Sequence, residues 1–335
     1  MTDADVAMGR VVADRYVIGR VLGSGTMGTV RAALDLELNQ EVAIKFVNVD
    51  GVSRDEAIER FRREVQVAER IKSEHVVRVL GTGSLSDETP FMVMELLRGR
   101  GLDEERDLRG VIPIGEAVGY ILQAIEVLAE VHAVGVVHRD MKPAHLFLEA
   151  RPPGPHFVKV LDFGVSKSAG ELASTENAAT KDGMIMGSPL YMAPEQLRAS
   201  NSADARADIW SLGAILFELI TGFTAHQGDT VAEVCASLLR DPPRPITDFA
   251  SELPLGFVEV VTRCLEPERE RRYSNVAELG AALLPFAPNG ALHVERARRL
   301  LERSAIESIR TVDLAPSSDA PVTLHVGGAT DGTGN

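Results

Sequence analysis

From Tyr16 the chain reads YVIGRVLGSGTMGTVRAALDLELNQEVAIKFVNV, in which β-branched and polar positions alternate and glycines interrupt. This period of two predicts three antiparallel strands, at 16–23, 28–36 and 41–49, with Asn39 and Gln40 near the second turn. The period then changes. In SRDEAIERFRREVQVAERI the apolar residues Ile58, Phe61, Val65, Ala68 and Ile71 recur at helical spacing, and Ser53 with Glu56 three positions on makes a capping box. Two more strands are predicted at 76–83 and 90–96. The charged stretch RGRGLDEERDLRG, 98–110, reads as a junction, after which the text is mainly helical. Ala117 to Val131 is a long amphipathic helix, RADIWSLGAILFELITG at 206–222 is an apolar one, and helical, proline-punctuated sequence continues to Phe286. A last helix is predicted at 291–312, with Leu292, Ala297, Leu300, Leu301, Ala305 and Ile309 on one face. Residues 1–15 are weakly patterned and expected to form a loose arm. After Arg310 there is no Lys or Arg, which predicts a disordered acidic tail.

Three stretches carry chemistry. HRDMKPAHLF, His138 to Phe147, follows the long helix and is polar in its first half, as suits a loop that presents reactive groups. Asp140 and Lys142 lie two positions apart, so an extended loop points a carboxylate and an ammonium the same way. That pair suits drawing a proton from a hydroxyl while steadying a phosphate. GSGTMG, 23–28, places glycines where backbone N–H groups can approach a phosphate. Dinucleotide-binding folds use the same letters but need a helix opening at the last glycine. Here a strand follows, so a phosphate-covering hairpin fits better. Lys45 sits between apolar Ile44 and Phe46, where an unpaired ammonium is costly to bury. Glu64, nineteen residues on and beside the apolar stripe of its helix, is a partner within reach, whereas Glu59 and Glu69 are expected in solvent. Asp162 of LDFG ends the apolar strand VKVL, 22 residues beyond Asp140, a place suited to an Mg²⁺ ion that bridges phosphates.

HRDMKPAH resembles the catalytic loop of the eukaryotic-like (Hanks-type) bacterial Ser/Thr protein kinases, and the motifs of that family occur in its order across 16–286. The resemblance implies an α+β, two-lobed fold: an N-lobe (16–97) with an antiparallel sheet and one helix, a mainly helical C-lobe (98–287), and a C-terminal segment (288–335). It implies transfer of the ATP γ-phosphoryl group to Ser or Thr hydroxyls, with Asp140, Lys142, Lys45 and Glu64 as the catalytic set. By the same resemblance Leu22, Gly23, Ser24, Gly25, Thr26, Met27, Gly28, Val30, Ala43, Lys45, Met94, Phe147 and Asp162 bind nucleotide. The backbone of Glu95 to Leu97 forms the hinge that meets the base. MGSPLYMAPEQL, 186–197, resembles the segment that receives the substrate peptide, with Ser188 beside Asp140 and Lys142. Glu195 is expected to pair with Arg272, or else Arg271, and Asp208 to hold the catalytic loop's backbone or cap its own helix. Arg139 before Asp140 implies regulation by activation-loop phosphorylation, at Thr180 ahead of Thr175 and Ser174.

One position departs from the family. His145 stands where the family carries Asn, so nitrogen replaces oxygen at the second metal position beside Asp162. Mg²⁺ prefers hard oxygen donors and Mn²⁺ tolerates nitrogen better. Three functional classes follow: a protein kinase, possessing full or attenuated activity; an ATP-binding pseudokinase that acts as a signalling scaffold; and a small-molecule phosphotransferase, disfavoured by MGSPLYMAPE.

Composition narrows the partners. With 335 residues the chain has room for two packed lobes. A net charge of −14 argues against nucleic acid and for an acidic soluble protein. Cys235 and Cys264 are expected as free buried thiols in a reducing compartment. No basic-then-apolar leader is seen and no apolar run approaches the ~18 residues of a membrane span, so a cytoplasmic location is expected. The expected partners are ATP, a protein substrate and a transient second copy for trans-phosphorylation.

Overall fold

The computed structural model describes residues 7–25, 28–48, 53–151, 154, 156–162, 189–198, 203–250 and 252–313. The fold is α+β and two-lobed. Its first lobe is a six-stranded antiparallel sheet built from β1 (Val11–Val12), β2 (Tyr16–Gly25), β3 (Gly28–Asp35), β4 (Gln40–Val47), β5 (Val79–Ser84) and β6 (Pro90–Glu95), in the order β1-β2-β3-β4-β6-β5. Alternation along β4 splits its side chains between two apolar layers. Val42, Ile44 and Phe46 pack with Ile18, Phe91 and Val93, while Ala43 and Val47 face Ala57, Phe61, Met92 and Met94. The strand is therefore covered on both faces, which is why its sequence is nearly continuous in apolar residues.

Helix α1 (Arg54–Arg70) lies on the second layer, capped by Ser53, whose hydroxyl accepts from the Glu56 amide. Phe61 and Ala57 bury against the sheet, and Val67 and Ile71 reach the core of the other lobe. Part of the expected arm is ordered instead. Val11–Val12 pairs with β2, Val12 is buried, and Arg15 holds Asp35 through two bonds of 2.9 and 2.7 Å. A local pattern of two residues is too short to announce a strand whose partner supplies the apolar layer.

The second lobe begins with β7 (Gly99–Gly101) and α2 (Leu102–Arg109), and centres on α3 (Ile114–Ala133). β7 pairs antiparallel with β8 (Leu146–Glu149), and β8 with β9 (Phe157–Val160), so the proline-rich stretch from Arg151 joins two hairpin strands. There follow α4 (Pro194–Arg198), α5 (Arg206–Thr221), α6 (Val231–Arg240), α7 (Leu255–Cys264), α8 (Val276–Leu283) and α9 (Ala291–Asp313). Helix α5 is buried all round, from Ala207 to Thr221, as its uninterrupted apolar text requires. Cys264 lies in this core, where burial pushes its thiol pKa up and keeps it inert, and Cys235 is half-buried.

Helix α9 packs against α3 with a face that differs from the expected one. Val294 and Ala297 are buried and Leu300 and Leu301 pack behind them, but Leu292 is 57% exposed. His293 and Val294 of the first turn pack inward while Leu292 beside them points to solvent, and Ala305, also expected on the packed face, is exposed. Residues 314–335, the expected tail, lie outside the described residues.

Between the two candidates for Glu195, the structure selects Arg272. Its Nη1 and Nη2 donate to the two carboxylate oxygens at 2.7 and 2.8 Å, Nε donates to the Glu266 carbonyl at 2.8 Å, and the guanidinium lies 5.0 Å from the Trp210 ring. Arg271 is 69% exposed and pairs only at the surface. Replacing Arg272 by Lys should therefore destabilise the fold by roughly 2–4 kcal/mol, because no ammonium reproduces the buried fork. Arg271→Ala should change stability by about 0.5 kcal/mol or less. Chemical denaturation of both variants decides it; equal losses would contradict the assignment.

Candidate active site

Strands β3, β4 and β6 of the first lobe place Lys45 in the middle of the sheet, opposite Val30 and Met92. The ammonium is buried and donates to Glu64 Oε1 on α1 and to Asp162 Oδ1 just beyond β9, each at 2.7 Å. Burial alone would depress its pKa, but Asp162 and Glu64 outweigh that and hold it above the ordinary lysine range. Burial acts on both acids in the upward direction. For Asp162 the pull of Lys45 wins and its carboxyl stays well below the usual range. For Glu64 burial, reinforced by the Asp162 charge, leaves the pKa raised. Glu59 and Glu69 are exposed, as expected.

At the tip of the first hairpin Gly25 pairs with Gly28, while Thr26 and Met27 lie outside the described residues. Gly28 has φ +150° and a Cβ there would stand 1.9 Å from the Phe46 carbonyl oxygen, so the backbone itself demands glycine. Gly23 and Gly25 differ: a Cβ on either would meet no protein atom within 4 Å. Below the hairpin, Leu22, Val30, Ala43 and Met94 share one apolar cluster. Phe147 is half-buried on β8 and belongs to the second sheet.

The catalytic-loop candidates are shaped by Asp208. Its carboxylate, on the first turn of α5 and fully buried, accepts from the His138 amide at 2.9 Å and the Arg139 amide at 2.8 Å, and lies 2.7 Å from His132 Nε2. Ala205 occupies the cap position of α5, so Asp208 serves the loop and not its own helix. Burial works against its ionisation, but His132 and the loop amide keep its pKa lowered. Arg139 adopts φ +63°, a conformation side chains rarely take, and its carbonyl accepts from Gln196 Nε2 at 2.9 Å. Asp162 is also left-handed, at φ +45°. The guanidinium of Arg139 donates to the Ala203 carbonyl at 3.3 Å, and its buried Nε has no hydrogen-bond partner among the described residues.

Asp140, Lys142 and His145 converge. Lys142 Nζ and His145 Nδ1 each lie 3.8 Å from Asp140 Oδ2. His145 Nδ1 is 2.7 Å from the Asp140 carbonyl oxygen, which can only accept, so this nitrogen carries a proton. Burial pushes the imidazole pKa down to about 4, Lys142 acting in the same direction against Asp140, so the ring is neutral near pH 7 and Nε2 holds the lone pair. The His145 carbonyl accepts from the Leu161 amide at 2.8 Å, tying the loop to the residue before Asp162.

The segment expected to be the hinge holds a contact that the sequence pattern did not predict. Glu95 Oε1 accepts from Lys159 Nζ at 2.6 Å and from the Arg78 amide at 2.9 Å, and Lys159 also reaches the Val76 carbonyl. Glu95 thus fastens the hinge to β9 with its side chain, and its amide is spent on the Arg78 carbonyl at 3.0 Å. The signal was present, since Lys159 in VKVL is an ammonium among apolar neighbours, as Lys45 is in VAIKFV. His132 and Gln196 had no such signal. Phe163, Gly164, Ser174, Thr175, Thr180 and Ser188 lie outside the described residues.

The protein kinase domain family matches residues 16–282. Curated relatives include the probable serine/threonine-protein kinase PknB of Corynebacterium glutamicum, 34% identical over 294 residues that cover 86% of this chain and 44% of the relative. Serine/threonine-protein kinase PknB of Mycobacterium tuberculosis is 33% identical over 92% of this chain and 50% of its own length. Serine/threonine-protein kinase pkn3 of Myxococcus xanthus is 34% identical over 73% and 44%. The chain spans about half the length of these relatives. Among solved structures, the kinase domain of Mycobacterium tuberculosis PknI, a double mutant, superposes with a TM-score of 0.66 at 24% identity, covering 84% of this chain and 98% of that one. Among the described residues no helix is long and apolar enough to cross a membrane.

Because Asp208 is the shared acceptor of two loop amides, Asp208→Asn should cost roughly 2–4 kcal/mol of stability, one amide N–H₂ being turned against N–H donors. Its folded pKa is depressed, so this contribution is present above the unfolded carboxyl pKa and disappears as pH falls through the folded value. Unfolding midpoints of wild type and variant should converge in acid; parallel curves down to pH 3 would contradict this role.

Proposed function

Because the chain belongs to the protein kinase family, we propose that it transfers the γ-phosphoryl group of ATP to Ser or Thr hydroxyls of proteins, at a rate held down by His145. The observation that carries this reading is the Lys45 ammonium held between Glu64 and Asp162 at 2.7 Å each. A lysine so positioned is ready to meet the α- and β-phosphates. Gly23 and Gly25, which protein packing does not require, add support: a phosphate under the hairpin explains why nothing larger stands there.

Leu22, Val30, Ala43 and Met94, with Phe147 from the other lobe, offer apolar surface for the base. At the hinge the Glu95 amide is engaged, so its carbonyl and the backbone through Leu97 are the groups left to meet the base. The ionised, partly exposed Asp162 carboxylate and the Nε2 lone pair of His145 fit a divalent metal, Mn²⁺ better than Mg²⁺. When bound, such an ion neutralises phosphate charge. Asp140 accepts or orients the proton of the incoming hydroxyl, and Lys142 beside it offsets charge on the transferring group. A neutral imidazole in place of an amide oxygen weakens only the metal position.

Arg139 supports phosphoregulation. A phosphate on Thr180 would give its unpartnered Nε a charge-assisted acceptor. Trans-phosphorylation between two copies in a transient dimer is the simplest source of that phosphate. The net charge of −14 argues against nucleic acid as a partner, and a cytoplasmic location, where ATP is abundant, follows from the same reading.

Phosphoryl transfer to a protein substrate, measured with Mg²⁺ and with Mn²⁺, should exceed that of Asp140→Ala and be faster with Mn²⁺. His145→Asn should raise the Mg²⁺ rate about tenfold or more. Wild type indistinguishable from Asp140→Ala in both metals would make the protein a nucleotide-binding scaffold. Peptide mapping after incubation with ATP should place phosphate on Thr180; an active sample with none between 166 and 186 would exclude this mode of control.

A further inference from the structure

Away from the catalytic residues, three elements distant in sequence bring together His75, in the turn after α1, Glu126 on α3 and His293 on α9. One ligand atom from each lies within 4.8 Å of the other two. Glu126 Oε2 is the shared atom, 2.6 Å from His293 Nδ1 and 4.0 Å from His75 Nε2. His75 and Glu126 are buried and His293 is half-buried. Phosphoryl transfer uses none of them.

The cluster is oriented from outside. His75 Nδ1 lies 2.8 Å from the Val158 carbonyl oxygen, so Nδ1 carries a proton and the neutral ring turns the Nε2 lone pair toward Glu126. Its plane is set by stacking on Phe157 at 4.0 Å and by an edge contact with the His293 ring at 5.1 Å. The other oxygen of Glu126, Oε1, accepts from Arg296 Nη1 at 3.1 Å. Ligating histidines are held in this way by a carbonyl on the remote nitrogen, and ligating carboxylates by a donor on the remote oxygen.

We propose that His75 Nε2, Glu126 Oε2 and His293 Nδ1 form a Zn²⁺ site, with water as the fourth ligand. Two imidazoles and one carboxylate are a donor set that suits zinc. With bonds of about 2.0–2.1 Å a tetrahedral site has ligand separations of about 3.3 Å, and the observed 2.6 and 4.0 Å lie on either side of that value. On binding, the ion replaces the proton between His293 and Glu126, which leaves to solvent, and the ligating His293 is a neutral imidazole with its proton on Nε2. No group changes oxidation state. Arg296 adds positive charge at the rim, which keeps the affinity moderate.

The site would join α9 to the backbone behind the active site. The His75 carbonyl accepts from the Val160 amide at 2.7 Å, two residues before Asp162. Zinc thereby clamps the C-terminal helix to the turn that supports the metal-binding end of β9.

The test uses the untagged full chain carrying Asp162→Asn and His145→Ala, which remove the carboxylate and the imidazole of the proposed catalytic metal position so that it does not report. Titration with Co²⁺ should give one equivalent bound with the visible absorption of a tetrahedral site, displaced by Zn²⁺, and Zn²⁺ should raise Tm. Adding His293→Ala, with an unchanged circular dichroism spectrum, should abolish the band and weaken Zn²⁺ binding by about 10- to 100-fold or more. Glu126→Gln should do the same, whereas Arg296→Ala should retain the band. Absence of one-equivalent binding, or a band that persists in His293→Ala, overturns the site. A Tm that responds to pH but to neither metal overturns it as well, and leaves a hydrogen-bonded latch.

Discussion

A buried ammonium must be neutralised, and at Lys45 two carboxylates from different parts of the chain do so. Glu64 comes from a helix and Asp162 from the end of a strand in the other lobe, 117 residues from Lys45. Both bonds exist only when α1 is docked on the sheet and β9 ends at the cleft. One local charge requirement therefore sets the relative placement of three elements and links the packing of the N-lobe to the geometry offered to a nucleotide. Lys45 lies 2.7 Å from each carboxylate, so the two acids share its charge.

The loop from His138 to His145 obeys a second buried charge. Asp208 holds two consecutive amides of the loop, and Gln196 takes the Arg139 carbonyl. That grip explains how Arg139 persists at a positive φ, a strain of order 1–3 kcal/mol that survives only where the surroundings over-determine it. Asp140 and Lys142 are aimed by this framework and not by their own sequence.

His145 has a structural contact that is independent of the proposed metal position. The imidazole is pinned through Nδ1 to the Asp140 carbonyl, so it supports the loop as a donor. Its remaining nitrogen is softer than an amide oxygen, so in the proposed reaction the consequence would fall on the metal. At the opposite side of β9, the turn containing His75 ties the same strand to α3 and α9, so the C-terminal helix is continuous, through packing, with the support of Asp162.

The strands, the long helices and the apolar layers were legible because each rests on a local period: two for Ile44 and its neighbours in β4, 3.6 for Phe61 on α1. Lys45, Asp140 and Asp162 were legible for a related reason, being polar residues at places where an apolar run makes them costly or ends. The catalytic order of the motifs was likewise a property of the chain alone. What the chain could not state was which distant groups would meet. Arg272 and Arg271 are adjacent and chemically identical, and only the tertiary arrangement that sets Glu195 and the Trp210 ring around one of them decides which is buried. The face of α9 that packs, with Val294 in and Leu292 out, is set by its docking on α3. The second buried lysine, Lys159 on Glu95, and His293 on Glu126 in the cluster with His75 join residues 64 and 167 positions apart in sequence, through folding of the whole molecule. Local periodicity determines which residues are buried; only tertiary packing decides what each buried charge is buried against.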